Sequence, residues 1–207
     1  MSKYGHRQHN WFEAIVNKLG GEDCAEALLR GELEVRPVEP KPALAPKPRL
    51  ELVYTIEVAG IVKFVAADHF KKDTSKKVAV AIGWLGDDFK SHFLGKIEEN
   101  VPETILQVHC LTRDSLDKDI RAELTPETEE TTLTYLWDLL SKQPRGQKGT
   151  LLTDGRANVF YIRDAKGDLW AVSADRDSDY GYWGVDASSV AIPDRWREGD
   201  QVFSRKM

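Results

Sequence analysis

The sequence predicts an α+β protein: a helical hairpin over residues 1–35, tethered by a proline-rich linker, residues 36–49, to a mixed and mainly antiparallel sheet domain with one long helix over residues 50–207. Three observations carry this expectation. Apolar residues recur at helical spacing before a Gly20-Gly21 pair. The run from Arg36 to Arg49 is dominated by Pro, Ala and Lys. After it, period-two alternation alternates with helical spacing, the pattern of strands and helices sharing one core.

In the first segment Trp11, Ile15 and Leu19 recur every four residues beside Phe12 and Val16, so a helix starting near Asn10 carries one apolar stripe. Gly20-Gly21 stops it. Glu22 and Asp23 suit the positive end of a second helix, Ala25, Leu28 and Leu29 give that helix apolar surface, and Gly31 closes it. Two such helices are too small to make a core alone. They must pack on the main domain, on a second copy or on a partner, and Trp11, Phe12 and Ile15 are the candidate contact residues. A DNA-reading helix-turn-helix fits less well. Val16 stands where close packing asks for a small residue, and Glu22, Asp23 and Glu26 would meet the phosphates. The linker favours extended polyproline II at roughly 3.1 Å per residue, a reach of about 40 Å. Its Pro37-Val38-Glu39-Pro40 matches a PxxP pattern too short to be specific.

Leu50, Leu52, Tyr54, Ile56 and Val58 alternate with Glu51, Val53, Thr55 and Glu57 and predict a half-buried strand, and Gly60 turns the chain into a second at residues 61–66. Residues 78–85 are uniformly apolar and read as a central strand. Residues 87–94 read as a short helix and 105–111 as another strand. For the long helix, Thr125 caps, Pro126 suits the first turn, Glu127, Glu129 and Glu130 match the dipole, and Leu133, Leu136, Trp137 and Leu140 form the stripe before Pro144 and Gly146. Residues 159–162 and 169–172 flank the turn cluster Asp164-Ala165-Lys166-Gly167-Asp168, which predicts a hairpin. Further strands are expected at 183–186, 189–192 and 201–204.

A net charge of -5 and 41% hydrophobic content indicate a globular chain with no broad attraction to nucleic acid or anionic membrane. No apolar run approaches the ~20 residues of a membrane span, and the first residues lack a signal-peptide core, so a cytoplasmic protein is expected. Basic groups at Lys3, His6, Arg7 and His9, at Lys71, Lys72, Lys76 and Lys77, and at Arg145 and Lys148 read as solvated surface. Cys24 and Cys110 form no CxxC pair and read as buried thiols, not as a disulfide or zinc site.

Two constellations carry candidate chemistry. Asp175, Asp177 and Asp179 alternate, and Asp186 falls at the twelfth position from Asp175, where a calcium loop places its closing carboxylate. Such a set would take calcium or magnesium and would serve a metal-dependent enzyme. Against it, Tyr180 occupies the sixth position, where the sharp turn wants glycine, and a solvated acidic loop explains the same residues. Around these stand Trp170, Tyr180, Tyr182, Trp183 and Trp196, a candidate stacking platform for a base, sugar or peptide, with Arg176 or Arg195 supplying hydrogen bonds. Alternation places Tyr182 and Trp183 on opposite faces, so one of them belongs to the core.

Other catalytic arrangements have less support. His109 and Cys110 are strand neighbours that point to opposite faces, which excludes a thiolate-imidazole pair. His69, His92 and His109 with Asp68, Asp87 and Asp88 lack HExxH or HxH spacing. Neither GxSxG nor GxxxxGK[ST] occurs.

The Leu-Gly-Gly turn followed by Leu28-Leu29-Arg30-Gly31-Glu32-Leu33, the stretch Trp84-Leu85-Gly86-Asp87-Asp88-Phe89 leading to Phe93-Leu94-Gly95-Lys96, Leu151-Leu152-Thr153 and Val202-Phe203-Ser204-Arg205 are similar to those of a group of uncharacterised small bacterial proteins. The resemblance spans most of the chain and implies a shared fold, with no activity to carry over. The resulting expectation is a noncatalytic interaction or binding module that meets a protein partner or a second copy through the hairpin, or through the C-terminal aromatic face. The alternatives are the metal-dependent enzyme and a nucleic-acid-associated protein using the basic N-terminus.

Overall fold

Side-chain alternation from Leu50 onward builds a large mixed sheet, seen in a computed structural model that describes residues 9–34, 47–192 and 195–206. The chain divides into two compact units, Met1–Pro46 and Lys47–Met207. The PxxP pattern, Lys3, His6, Arg7 and most of the expected linker lie outside the described residues.

The first unit contains α1 (His9–Lys18) and α2 (Glu22–Leu29). Between them Gly20 and Gly21 have φ of 99° and 98°, a backbone that glycine adopts without steric cost. Trp11 meets Phe12 edge to face at 5.0 Å. No residue of α2 is buried.

The second unit runs β1 (Leu50–Val58), β2 (Ile61–Val65), α3 (Ala66–His69), β3 (Ile82–Leu85), α4 (Asp87–Phe93), β4 (Ile97–Val101), β5 (Thr104–Leu111), β6 (Ser115–Leu116), α5 (Asp117–Glu123), α6 (Pro126–Glu129), β7 (Glu130–Thr131), α7 (Leu133–Lys142), β8 (Asn158–Arg163), β9 (Leu169–Arg176), β10 (Trp183–Ser189), β11 (Arg195–Trp196) and β12 (Gln201–Arg205). The main sheet has the order β1-β5-β12-β8-β9-β10-β3, with β7 beside β8. Pairing is antiparallel except for β12–β8, β10–β3 and β7–β8. Small separate pairs join β2 to β4 and β6 to β11.

Both faces of the sheet are covered over most of its width. Phe89, Phe93, Leu133, Leu136 and Leu140 from α4 and α7 pack on the face that carries Phe160 and Phe203, whose rings stack at 4.3 Å. The next residues along the same strands, Val159, Tyr161 and Val202, turn to the other face under Ile120 of α5 and the following Leu124. At one margin α7 reaches the backbone at the end of β1: Lys142 Nζ donates to the Glu57 carbonyl at 3.2 Å, and Asp138 Oδ2 accepts from the N–H of Ala59, just past the strand, at 3.3 Å.

Several expectations are corrected. The single helix expected from Thr125 is two, α6 and α7, because Glu130 and Thr131 leave helical geometry to pair in parallel with Tyr161 and Ile162. Thr132 then caps α7 by accepting from Tyr135 N, and the buried Glu98 carboxylate accepts from Leu133 N and Thr134 N. Residues 78–85 are not a central strand. Only Ile82–Leu85 are extended, at the opposite margin from β1; Val80, Ala81 and Ile82 are apolar because they are buried. β1 carries a bulge between Leu52 and Tyr54, so Leu52 and Val53 are half-exposed. The strand expected at 189–192 is a turn, closed by Ile192 N on the Ser189 carbonyl. No helix among the described residues is long and apolar enough to cross a membrane.

Candidate functional site

In β10, Trp183, Val185 and Ala187 point into the α4–α7 core. Alternation therefore turns Gly184 and Asp186 to the other face. There the smaller apolar layer extends to Ala171 of β9 and to Val190 and Trp196. Past it, the sheet surface is made of Asp175, Gly184, Asp186 and Trp84. The register fixes this grouping: Gly184 stands opposite Asp175 on β9 and opposite Trp84 on β3.

Close packing surrounds the glycines of this surface, and at Gly86 and Gly83 it leaves no room for a side chain. A β-carbon at Gly184 would lie 3.4 Å from Asp175 Oδ1 and 3.6 Å from the Trp84 ring. One at Gly86 would run into Asp186 Oδ1 and come within 3.2 Å of the same indole, and one at Gly83 would enter the Tyr182 ring. Trp84 lies against Gly184 and Gly86, beside Asp175 and Asp186, while remaining 46% exposed. Tyr180 and Tyr182 stack at 5.7 Å nearby in sequence, in the β9–β10 turn, and Tyr180 is 75% exposed.

Burial pushes the Asp175 carboxyl above its ordinary pKa, and the charges of Asp177 and Asp186 add to that shift. Asp177 belongs to the turn: its Oδ1 accepts from Asp179 N at 2.9 Å and Tyr180 N at 3.0 Å, and Gly181 takes φ of 74°. Asp186 Oδ1 accepts from Ala187 N at 2.8 Å. A calcium loop would need residues 175–186 to coil around one point. Instead Asp175 pairs with Gly184 and Arg176 with Trp183 in an antiparallel ladder, and among the described residues no group of three His, Cys, Asp or Glu is placed to hold a metal ion.

The expected aromatic platform is divided among different places. Trp183 is fully buried and donates its indole N–H to the Gln143 carbonyl at 2.8 Å, so it is a core residue and faces no ligand. Trp196 donates to Asp117 Oδ1 at 2.8 Å, an oxygen that also accepts from Tyr161 OH. Trp170 packs against His92 at 4.1 Å. Tyr180 and Tyr182 remain together. Trp84 was missed because its segment read as core strand; the glycines flanking it in Gly83-Trp84-Leu85-Gly86 were the available signal. In the first unit Trp11 and Ile15 are partly buried and Phe12 is exposed.

His69, His92 and His109 serve separate structural contacts. His69 stacks on Phe64 at 4.4 Å, and burial lowers its pKa. His92 Nδ1 meets Asp164 Oδ2 at 2.8 Å. His109 Nε2 lies 3.0 Å from Ser204 Oγ, a separation that suits a base and nucleophile. Ser204 is fully buried, however, and burial holds His109 below its ordinary pKa, so the pair is sealed from substrate. Cys110 is half-buried with its thiol pKa pushed up by burial, which disfavours a reactive thiolate.

With this geometry compared to family models, curated proteins and solved structures, nothing matches the chain.

Proposed function

We propose that the chain is a noncatalytic binding module whose recognition surface is the face around Trp84, Asp175, Asp186 and the Tyr180–Tyr182 stack. The observation that carries this reading is a large aromatic side chain held half-exposed against Gly184 and Gly86 beside two carboxylates. Rigid Trp and Tyr rings supply contact area at low entropic cost and dominate binding at interfaces. The surface belongs to an open sheet face, a shape that suits contact with another macromolecule more than enclosure of a small substrate.

The test is a peptide array probed with the wild-type protein and with Trp84→Ala. The proposal expects a set of peptides whose binding falls about tenfold or more on loss of the indole. Identical binding patterns for the two proteins would reject the face. A second contact surface is favoured by α2, which has no buried residue, and by the exposed Phe12 of α1. Deletion of residues 1–35 is expected to abolish self-association in analytical ultracentrifugation if that surface joins two copies.

A further inference from the structure

We infer that the Trp84 face selects cationic side chains, seating a lysine or arginine of an extended basic segment of a partner protein over the indole and beside the carboxylates of Asp175 and Asp186. This rests on the reading of that face as a recognition surface and adds the chemistry of what it recognises.

Charge complementarity supports the assignment. An indole face carries negative electrostatic potential and attracts ammonium and guanidinium groups, more strongly where water is partly excluded. Here the indole has carboxylates next to it: the Cβ position of Gly184 lies within 3.6 Å of both the Asp175 carboxylate and Trp84, and that of Gly86 touches both Asp186 and Trp84. The carboxylates are also crowded. Asp175 is partly desolvated and feels both Asp177 and Asp186, so its environment disfavours negative charge until a cation arrives. The chain does not provide that cation at Asp175 or Asp177, neither of which forms a salt bridge among the described residues. Arg176, between them in sequence, lies on the sheet face opposite Asp175: its Nε donates to the Arg145 carbonyl at 3.3 Å, and its side chain packs over Gly146 and reaches Gly181 of the turn.

The openness of the face decides between a free amine and a segment of chain. A single ammonium on an unwalled surface gains little. A segment running across β3 and β10 can place one cation at Trp84 and a further residue against Tyr180, which is 75% exposed. The chain's net charge of -5 favours approach of such a segment.

The experiment is fluorescence anisotropy with labelled ten-residue peptides of alternating Ser with Lys, Arg, Gln or Glu, at low and at moderate salt. The Lys or Arg peptide is expected to bind, the Gln and Glu peptides not to bind, and Trp84→Ala to weaken binding about tenfold. Trp84→Phe is expected to retain part of the affinity, and Asp175→Asn/Asp186→Asn to lose at least as much as Trp84→Ala. Circular dichroism melts verify that each variant is folded. Equal binding of a basic peptide to wild type and Trp84→Ala would reduce the effect to general charge attraction and overturn the inference. So would absence of basic-peptide binding to the wild type. Trp84-dependent binding of the Gln or Glu peptide would overturn the cation inference while leaving the recognition face intact; loss of Trp84 dependence for every peptide would remove both.

Discussion

Asp164 and Asp177 open the two hairpin turns that flank β9, with similar local chemistry. Asp164 Oδ1 accepts from Lys166 N at 2.8 Å and Asp168 N at 2.9 Å; Asp177 Oδ1 accepts from Asp179 N and Tyr180 N. Each turn uses a glycine of positive φ, Gly167 at 94° and Gly181 at 74°. Their surroundings differ. The second oxygen of Asp164 takes His92 Nδ1 from α4, Ala165 N donates to the His92 carbonyl, and the aspartate is 4% exposed. Among the described residues the Asp177 turn shows no comparable anchor, and it presents Tyr180 to solvent. Local chemistry sets the shape of both turns, and one distant histidine decides which of them becomes part of the structural core.

The sharpest break of this contrast is Asp164→Ala. It removes a buried carboxylate with three hydrogen-bond partners and is expected to cost about 2–3 kcal/mol in urea unfolding. Asp177→Ala is expected to stay within about 0.5 kcal/mol; equal losses would erase the distinction. His92→Ala is the next largest, about 1–2 kcal/mol, because the turn keeps its internal hydrogen bonds and its backbone bond to α4 but loses the imidazole partner of Asp164.

Acid pH separates Asp164 from Asp175 by sign. Burial alone would raise the Asp164 carboxyl, but the hydrogen bonds from His92 and from the N–H groups of Asp168 and Lys166 outweigh it and hold the pKa below its ordinary value. Its stabilisation is therefore present above the unfolded pKa and lost as pH falls through the folded one. The deficit of Asp164→Asn at pH 7 is expected to close in acid. Asp175 is raised, so its favourable contribution exists below the unfolded pKa and disappears as pH rises through the folded value. Asp175→Asn is expected to raise the melting temperature at pH 7 by roughly 1–3 °C and to leave it unchanged in strong acid. A destabilised Asp175→Asn at pH 7 would contradict the crowded carboxylates. The smallest stability effect belongs to Tyr180→Ala, which should leave the melt unchanged while weakening peptide binding.

The sequence made the turns legible because their determinants are adjacent: an aspartate, a glycine, and alternating apolar residues on each side. It hid what closes over distance. Glu98 caps a helix that begins 35 residues later, and His92 reaches an aspartate 72 residues away. The apparent long helix broke because Thr131 and Thr132 served a β-ladder and a cap, choices that depend on β8 being beside them. α5 has only Ile120 and Ala122 among charged residues, too little apolar periodicity to be noticed. Trp84 looked like core because its neighbours are core. Its setting depends on the irregular β3–β10 register and on Gly184, about 100 residues away, of which the flanking Gly83 and Gly86 are the one local trace.

The contact between α7 and β1 bears on how the protein behaves in concentrated solution. β1 contains neither Pro nor Lys along LELVYTIEV, the residues that ordinarily discourage another strand from adding to a margin. Lys142 and Asp138 instead occupy the Glu57 carbonyl and the Ala59 N–H with side chains. The last turns of α7 therefore leave fewer open backbone groups at this end of the margin. Heating that frays this helix frees those two backbone groups, and strand addition is expected to begin there before the sheet itself melts.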